Sequence, residues 1–127
     1  MRNLVDSIVR ILTEHNLRVV RAFPGQQLPI LAEPLAAVGT ESRNTKWLSS
    51  NFFLTEQTVY VDLFVSYRIG AQRCEQAADL VERVLLDGIT DYSILRVYRK
   101  ELRHDAPSDC YRLRLCADVS SYEEGES

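Results

Sequence analysis

Long apolar runs are absent from this sequence. No stretch approaches the ~18 apolar residues that a bilayer-spanning helix needs, and residues 1–4 lead into mixed polar and apolar residues rather than into the apolar core of a secretory signal. We therefore expect neither a membrane span nor export. The three cysteines, Cys74, Cys110 and Cys116, lack the spacing of a disulfide framework, which favours free thiols in a reducing cytosol.

Motifs for catalysis and for cofactor binding are also missing. Neither His15 nor His104 lies beside a serine or cysteine in a nucleophile motif, and the five glycines form no phosphate-binding loop. Cys110 and Cys116 would stand ~20 Å apart on a regular strand, too far to share a metal ion. The sequence predicts a protein that is not an enzyme, with no catalytic residues, no cofactor and no metal.

Length and charge indicate one ordinary globular domain. The chain has 127 residues, of which 46% are hydrophobic and 26% charged, enough for a single core. We place that domain at residues 1–121 and an acidic flexible tail at residues 122–127. With 15 Lys and Arg against 18 Asp and Glu, the net charge is −3, so tight nucleic-acid binding is not expected.

Hydrophobic periodicity predicts two helices. Asn3 is placed to cap the first helix, which should end near Asn16. The second helix presents an apolar face from Cys74 to Leu85 and should end at Gly88 with a left-handed cap. Strands are predicted at residues 17–23, 35–40, 59–69, 94–103 and 111–119, with a long loop over residues 42–57 and a turn at residues 105–109.

The predicted fold class is α+β, with two helices packed on one face of a mostly antiparallel sheet of about five strands, in the order α-β-β-β-α-β-β. Clean alternation in the third and fifth strands predicts a sheet that buries one face only, which leaves the other face and the long loop open to solvent or partners. The candidate interface residues on that face and in that loop are Trp47, Phe52, Phe53, Tyr60, Phe64, Arg68, Arg96, Tyr98, Arg112 and Arg114.

These basic and aromatic residues allow several interpretations. A sheet face of this kind binds single-stranded nucleic acid in some proteins, but cross-strand pairing of Asp62 and Glu101 with the basic residues, or a protein interface, is favoured here. Phe52 and Phe53 are alternatively folded under the loop. A small ligand-binding or enzymatic domain, with a pocket enclosing His104, is the third class considered.

The order of these elements resembles a known family. The opening helix, the Ala-Phe-Pro-Gly element at residues 22–25, the Glu-Pro-Leu-Ala-Ala-Val-Gly strand at residues 33–39 and the Val-Asp-Leu-Phe-Val-Ser-Tyr strand at residues 61–67 are followed by the second helix and the closing hairpin. Over most of residues 1–121, this pattern is similar to the tail-terminator and tail-completion proteins of long-tailed bacteriophages and prophages.

The resemblance implies a virion structural protein, a minor tail component that works by assembly. Such a protein forms an oligomeric ring, usually a hexamer, which caps the tail tube and takes part in head–tail joining. The expected partners are further copies of the chain, the tail tube protein and the head–tail connector protein. The expected location is the tail or neck of the virion, and the host bacterial cytoplasm before assembly.

Overall fold

A computed structural model describes residues 3–21 and 33–124. Within them, two helices and six strands follow one another in the order α-β-β-β-α-β-β-β, a broadly α+β arrangement. The elements are α1 (Leu4–Glu14), β1 (Arg18–Val20), β2 (Leu35–Ser49), β3 (Phe52–Ser66), α2 (Gln72–Asp87), β4 (Ser93–Arg99), β5 (Arg103–Asp105) and β6 (Cys110–Glu124). Neither helix combines the length and the apolar character that crossing a membrane requires.

The sheet is built around β3. The strand order is β1-β2-β3-β6-β4, and β5 pairs with β6 beyond the end of β4. β1 runs parallel to β2, whereas every other pairing is antiparallel. β3 is hydrogen-bonded to β2 on one side and to β6 on the other from Phe52 onward, so that it is the central strand of the molecule.

The prediction of about five strands in the order α-β-β-β-α-β-β was wrong. The segment predicted as one strand over residues 94–103 is divided into β4 and β5. Arg99 pairs with Leu115, and Arg103 pairs with Arg112. The segment from Arg99 to Arg103 is therefore one residue longer than the segment of β6 that it faces. The extra residue interrupts the ladder, as a bulge does, and creates the sixth strand.

The predicted long loop over residues 42–57 was also wrong. These residues extend β2 and β3 into a hairpin that turns at Ser50 and Asn51. Residues 41–50 are all exposed, so the sequence there shows no alternation between apolar and polar side chains. Because that alternation arises from burial of one face, its absence made the strands resemble a loop.

The helix ends follow local chemistry. Asn3 caps α1 as predicted, since its side-chain oxygen accepts a hydrogen bond of 2.8 Å from the Asp6 amide. Asn16 has a φ of 65°, the left-handed conformation expected just past the helix. Gly88 ends α2 with a φ of 103° and a ψ of 160°, which is an extended conformation open to glycine rather than the predicted left-handed cap.

Both helices contribute to one core on the same side of the sheet. Leu4, Ile8 and Leu12 of α1 are buried there. The other buried residues of this core come from α2 and from alternate positions of the strands, and include Ala36, Val38, Val59, Val61, Leu63, Val65, Cys74, Ala78, Val81, Leu85, Leu115, Ala117 and Val119. We call this side of the sheet the helix face and the opposite side the reverse face.

Part of the reverse face is buried as well. Leu35, Ala37, Phe64 and Cys110 form a second small cluster, with Val20 packed against it. Residues 61–66 of β3 are consequently buried on both faces. The expectation of a sheet open along its whole reverse face was therefore wrong at this end of β3. The first strand is shorter than predicted, and residues 22–32, with the Ala-Phe-Pro-Gly element, lie outside the described residues.

A close approach between β2 and β3 requires glycine at position 39. Gly39 and Tyr60 are cross-strand partners, and the Tyr60 ring lies over the Gly39 backbone. A Cβ atom on Gly39 would overlap this ring, standing 2.9 Å from its Cε1 atom. The same ring carries the Arg114 guanidinium 4.0 Å from its centroid, so displacing Tyr60 would disturb the next strand too.

Gly39→Ala should destabilise the fold by about 1–3 kcal/mol, the usual cost of overpacking. In a Tyr60→Ala background the same change should be neutral or slightly stabilising, because alanine is favoured over glycine in a strand. Urea denaturation of the two single variants and the double variant measures this coupling. Equal effects of Gly39→Ala in both backgrounds would contradict the contact.

Candidate protein-interaction surfaces

Two aromatic pairs lie where the sheet extends past the helices, one on each face, since Phe52 and Phe53 are consecutive residues of β3. Trp47 packs against Phe53 with ring centroids 4.8 Å apart, and Phe52 stacks on Tyr122 at 5.7 Å. Trp47 is 62% exposed and Tyr122 is 63% exposed, whereas Phe52 and Phe53 are half-buried. The alternative in which Phe52 and Phe53 fold under a loop is not observed. We call these four residues, with Glu123 and Glu124, the sheet tip.

The sheet tip includes residues that the sequence assigned to a flexible tail. Tyr122, Glu123 and Glu124 continue β6 and pair with Leu54, Phe53 and Phe52, respectively. Residues 125–127 lie outside the described residues. The sequence signal for a strand was weak here because these residues are mostly polar and lie beyond the core. The available signal was Tyr122, since tyrosine is favoured in strands and directly follows the strand predicted to Val119 and the two serines after it.

On the reverse face, an ion pair with two hydrogen bonds joins β3 to β6. Asp62 accepts hydrogen bonds from Arg114 Nε at 2.7 Å and from Arg114 Nη2 at 2.9 Å, a bidentate pair. The Asp62 side chain is only 7% exposed. Hydrogen bonding to Asp62 raises the pKa of the Arg114 guanidinium. The predicted cross-strand pairing of Asp62 is confirmed, whereas no ion pair of Glu101 is found among the described residues.

Two other basic residues on this face, Arg96 and Lys100, are also paired with carboxylates. Arg96 lies 3.3 Å from the Asp118 carboxylate and 4.2 Å from the centroid of the Tyr98 ring. Lys100 lies 3.3 Å from Glu41. The reverse face is therefore a network of short ion pairs and cation–π contacts rather than an unbroken positive surface.

Two predicted interface residues lie elsewhere. Phe64 is only 2% exposed and belongs to the small cluster on the reverse face, so it contributes to stability and not to a free surface. Arg68 was assigned to the third strand, but β3 ends at Ser66 and Arg68 lies in the exposed turn that follows.

A positively charged depression lies at the opposite end of the sheet from the tip. It measures about 240 Å³ and is lined by Lys100, Glu101, Arg103, Arg112 and Arg114. Arg103 and Arg112 are direct cross-strand partners, a juxtaposition of like charges that normally destabilises a sheet. Neither has an ion-pair partner within residues 3–21 and 33–124. Arg103 was missed as a candidate because its pairing depends on the interrupted ladder between β4 and β5.

His104 and the cysteines have structural roles. His104 Nε2 lies 2.9 Å from the Asp109 carboxylate in the predicted turn, and His104 lines neither this depression nor the larger one of about 360 Å³ beside Ser42 and Leu95. All three cysteines are free and buried. Burial raises the pKa of the Cys74 thiol from 9.0 to about 12 and also raises those of Cys110 and Cys116, which makes them poor nucleophiles.

Comparisons with known proteins add no assignment. No protein-family model matches this chain, and no curated protein sequence matches it at a significant level.

Arg114→Met should destabilise the protein more than Asp62→Asn does. Arg114→Met leaves the nearly buried Asp62 carboxylate without its partner, which should lower the free energy of unfolding by about 3 kcal/mol or more. Asp62→Asn leaves an arginine whose side chain is 26% exposed and can still be hydrated. Guanidinium denaturation of both variants measures the difference, and an equal or reversed ranking would contradict the burial argument.

Alkaline pH should weaken the fold through Cys74. Because its folded pKa is raised to about 12, the neutral thiol contributes its full stability below about pH 9, and this contribution is lost as the pH rises toward 12. The midpoint of urea unfolding should fall more steeply between pH 8 and 10.5 in the wild type than in Cys74→Ala. Parallel pH profiles would show that Cys74 is not the source.

Proposed function

We propose that the protein is a structural subunit of a phage or prophage tail, of the tail-terminator or tail-completion type. It forms a homo-oligomeric ring that caps the tail tube and docks to the head–tail connector. The observation that carries this proposal is the sheet tip, which projects past the helices and exposes aromatic side chains. The tip is formed by the ends of the three longest strands, β2, β3 and β6, which have 15 residues each.

An exposed aromatic cluster favours a protein partner. Trp47 and Tyr122 are more than half exposed, and aromatic side chains are enriched at the centres of protein interfaces. A ring also needs two unlike patches on each subunit, because head-to-tail contacts join different surfaces. The sheet tip and the charged depression at the other end of β6 supply two such patches.

The contacts on the reverse face favour assembly over binding of single-stranded nucleic acid. Base stacking needs open aromatic rings, but Tyr60 lies between Gly39 and the Arg114 guanidinium, and Phe64 is buried. Arg96, Lys100 and Arg114 are already paired with carboxylates. A pocket around His104, which a small enzyme would require, is not formed by either depression described above.

The direct test is a deletion of the gene in the phage or lysogen that carries it. Without a terminator, tube growth is unrestrained and the neck lacks its docking surface, so electron microscopy should show overlong or headless tails. Immunogold labelling of wild-type particles should mark the neck end of the tail. Tails of normal length with heads attached, made without the protein, would refute the proposal.

Complementation of the deletion tests the sheet tip itself. Trp47→Ala should leave the fold stable but restore normal tails poorly, because it removes the largest exposed aromatic surface of the tip. Leu86→Ala is a matched control, since Leu86 is also 62% exposed but belongs to α2 and not to the tip. Equal complementation by both variants would show that the tip is not an interface.

A further inference from the structure

The two ends of the β3–β6 strand pair carry opposite charge. At one end, the sheet tip combines four aromatic residues with Glu123 and Glu124. At the other end, Arg103 and Arg112 are cross-strand partners, and Tyr67, Arg68 and Ile69 follow the end of β3. We call these five residues the basic end. Each strand has 15 residues, so the two ends stand roughly 50 Å apart.

The basic end is an aromatic surface as well as a positive one. Tyr67 is 49% exposed and Ile69 is 41% exposed. The Tyr67 ring packs on Tyr111 at 4.8 Å and on His104 at 4.7 Å, and its amide donates a 3.0 Å hydrogen bond to the Asp109 carbonyl. These contacts fix Tyr67 on the side of Tyr111 and His104, whereas Arg103 and Arg112 project from the other face of the same strands.

The nearby acids do not neutralise this surface. The Asp105 carboxylate accepts a 2.6 Å hydrogen bond from the Ser108 hydroxyl, and the Asp109 carboxylate is engaged by His104. Glu101 lines the depression but forms no ion pair with a described residue. Arg103 and Arg112 therefore face each other without an ion pair to any carboxylate of the described residues, an arrangement that an external anionic group would stabilise.

The sheet tip offers such groups. Glu123 and Glu124 form no ion pair within the described part of the chain, and Glu126 follows them in the sequence. Arg43 and Lys46 lie on the β2 side of the hairpin, so the negative charge is concentrated along the β6 side. The pairing of β4 with β6 begins at Ser93 and Ser120. Beyond Ser120, β4 therefore does not cover the outer edge of β6.

One chain cannot bring these ends together. Arg112 and Glu124 are separated by twelve steps along a single strand, or ~40 Å at the rise of a β-strand. The acids of the tip can therefore reach an equivalent arginine pair only on another molecule.

We propose that the sheet tip of one copy docks on the basic end of the next, so that copies join head to tail. This inference rests on the proposed assembly function and identifies the contact that builds the ring. A head-to-tail contact of unlike patches closes into a ring when its rotation allows. The net charge of −3 favours an acidic protein segment over a nucleic-acid backbone as the occupant of the basic end.

Charge and apolar contact have separate roles in this interface. Exposed ion pairs contribute little to affinity, so the Glu–Arg contacts mainly select the partner surface and its orientation. Burial of the exposed aromatic surface of the tip against Tyr67 and Ile69 supplies most of the affinity.

Charge reversal in the purified full-length chain tests the proposal. Arg103→Glu/Arg112→Glu disables the basic end, and Glu123→Arg/Glu124→Arg disables the sheet tip. By sedimentation velocity at low ionic strength and up to about 1 mM protein, self-association of each variant should be at least tenfold weaker than that of the wild type. An equimolar mixture should regain association, because the intact acidic tip of the first variant fits the intact arginines of the second, and the reversed tip of the second fits the reversed end of the first.

A matched control separates this contact from net charge. Arg10→Glu/Arg83→Glu changes the total charge by the same amount as the basic-end variant, but on the exposed surfaces of the helices, and should associate as the wild type does. A monomeric wild type at 1 mM, unchanged association of the variants, or a mixture that does not pair would each overturn the proposal.

A single-stranded oligonucleotide is the competing occupant. Binding of such a probe that is lost in Arg103→Glu/Arg112→Glu, together with no pairing in the mixture, would assign the basic end to nucleic acid instead. These results are independent of tail morphology. If the deletion gives overlong or headless tails but the mixed variants do not pair in solution, the tail function is supported and only this head-to-tail contact is refuted.

Discussion

The difference in length between strands and helices constrains everything else in this molecule. β2, β3 and β6 have 15 residues each, or roughly 50 Å of extended chain. α1 and α2 have 11 and 16 residues, or roughly 16 Å and 24 Å of helix. The helices cover only part of the sheet, so the β2–β3 hairpin and the end of β6 project beyond the core. Residues 41–50 are exposed there, whereas Thr55 and Ser121 are buried.

That projection must be stabilised without a core, and the contacts along β3 explain how. Near the core, the Asp62–Arg114 pair and the packing of Tyr60 on Gly39 lock β2, β3 and β6 in one register. Farther out, the Thr58 hydroxyl donates a 2.7 Å hydrogen bond to Asp118, and the aromatic pairs close the tip. The ends of this strand pair are thus held apart and differ in charge, which the proposed head-to-tail assembly would require.

Sequence patterns predicted what the core dictates and missed what lies outside it. Asn3, Asn16 and the buried positions from Leu113 to Val119 follow from capping and alternation, and they are found as predicted. In the hairpin over residues 42–57 and the strand at Tyr122, the buried side chains are the polar ones of Thr55 and Ser121, so burial there produces no alternation of apolar and polar residues. The burial of Phe64 depends on a second cluster that only the fold assembles, and the Arg103–Arg112 juxtaposition depends on one extra residue between β4 and β5.

Amide hydrogen exchange along β2, β3 and β6, compared between the free chain and its assembled form, tests the central claim most directly. In the free chain, amides of residues 43–57 should exchange faster than those of residues 61–65 but far more slowly than in an unfolded chain. On assembly, protection should increase at the sheet tip and at the basic end, with little change in the helices. Exchange at the unfolded rate over residues 43–57, unaltered by assembly, would contradict the account.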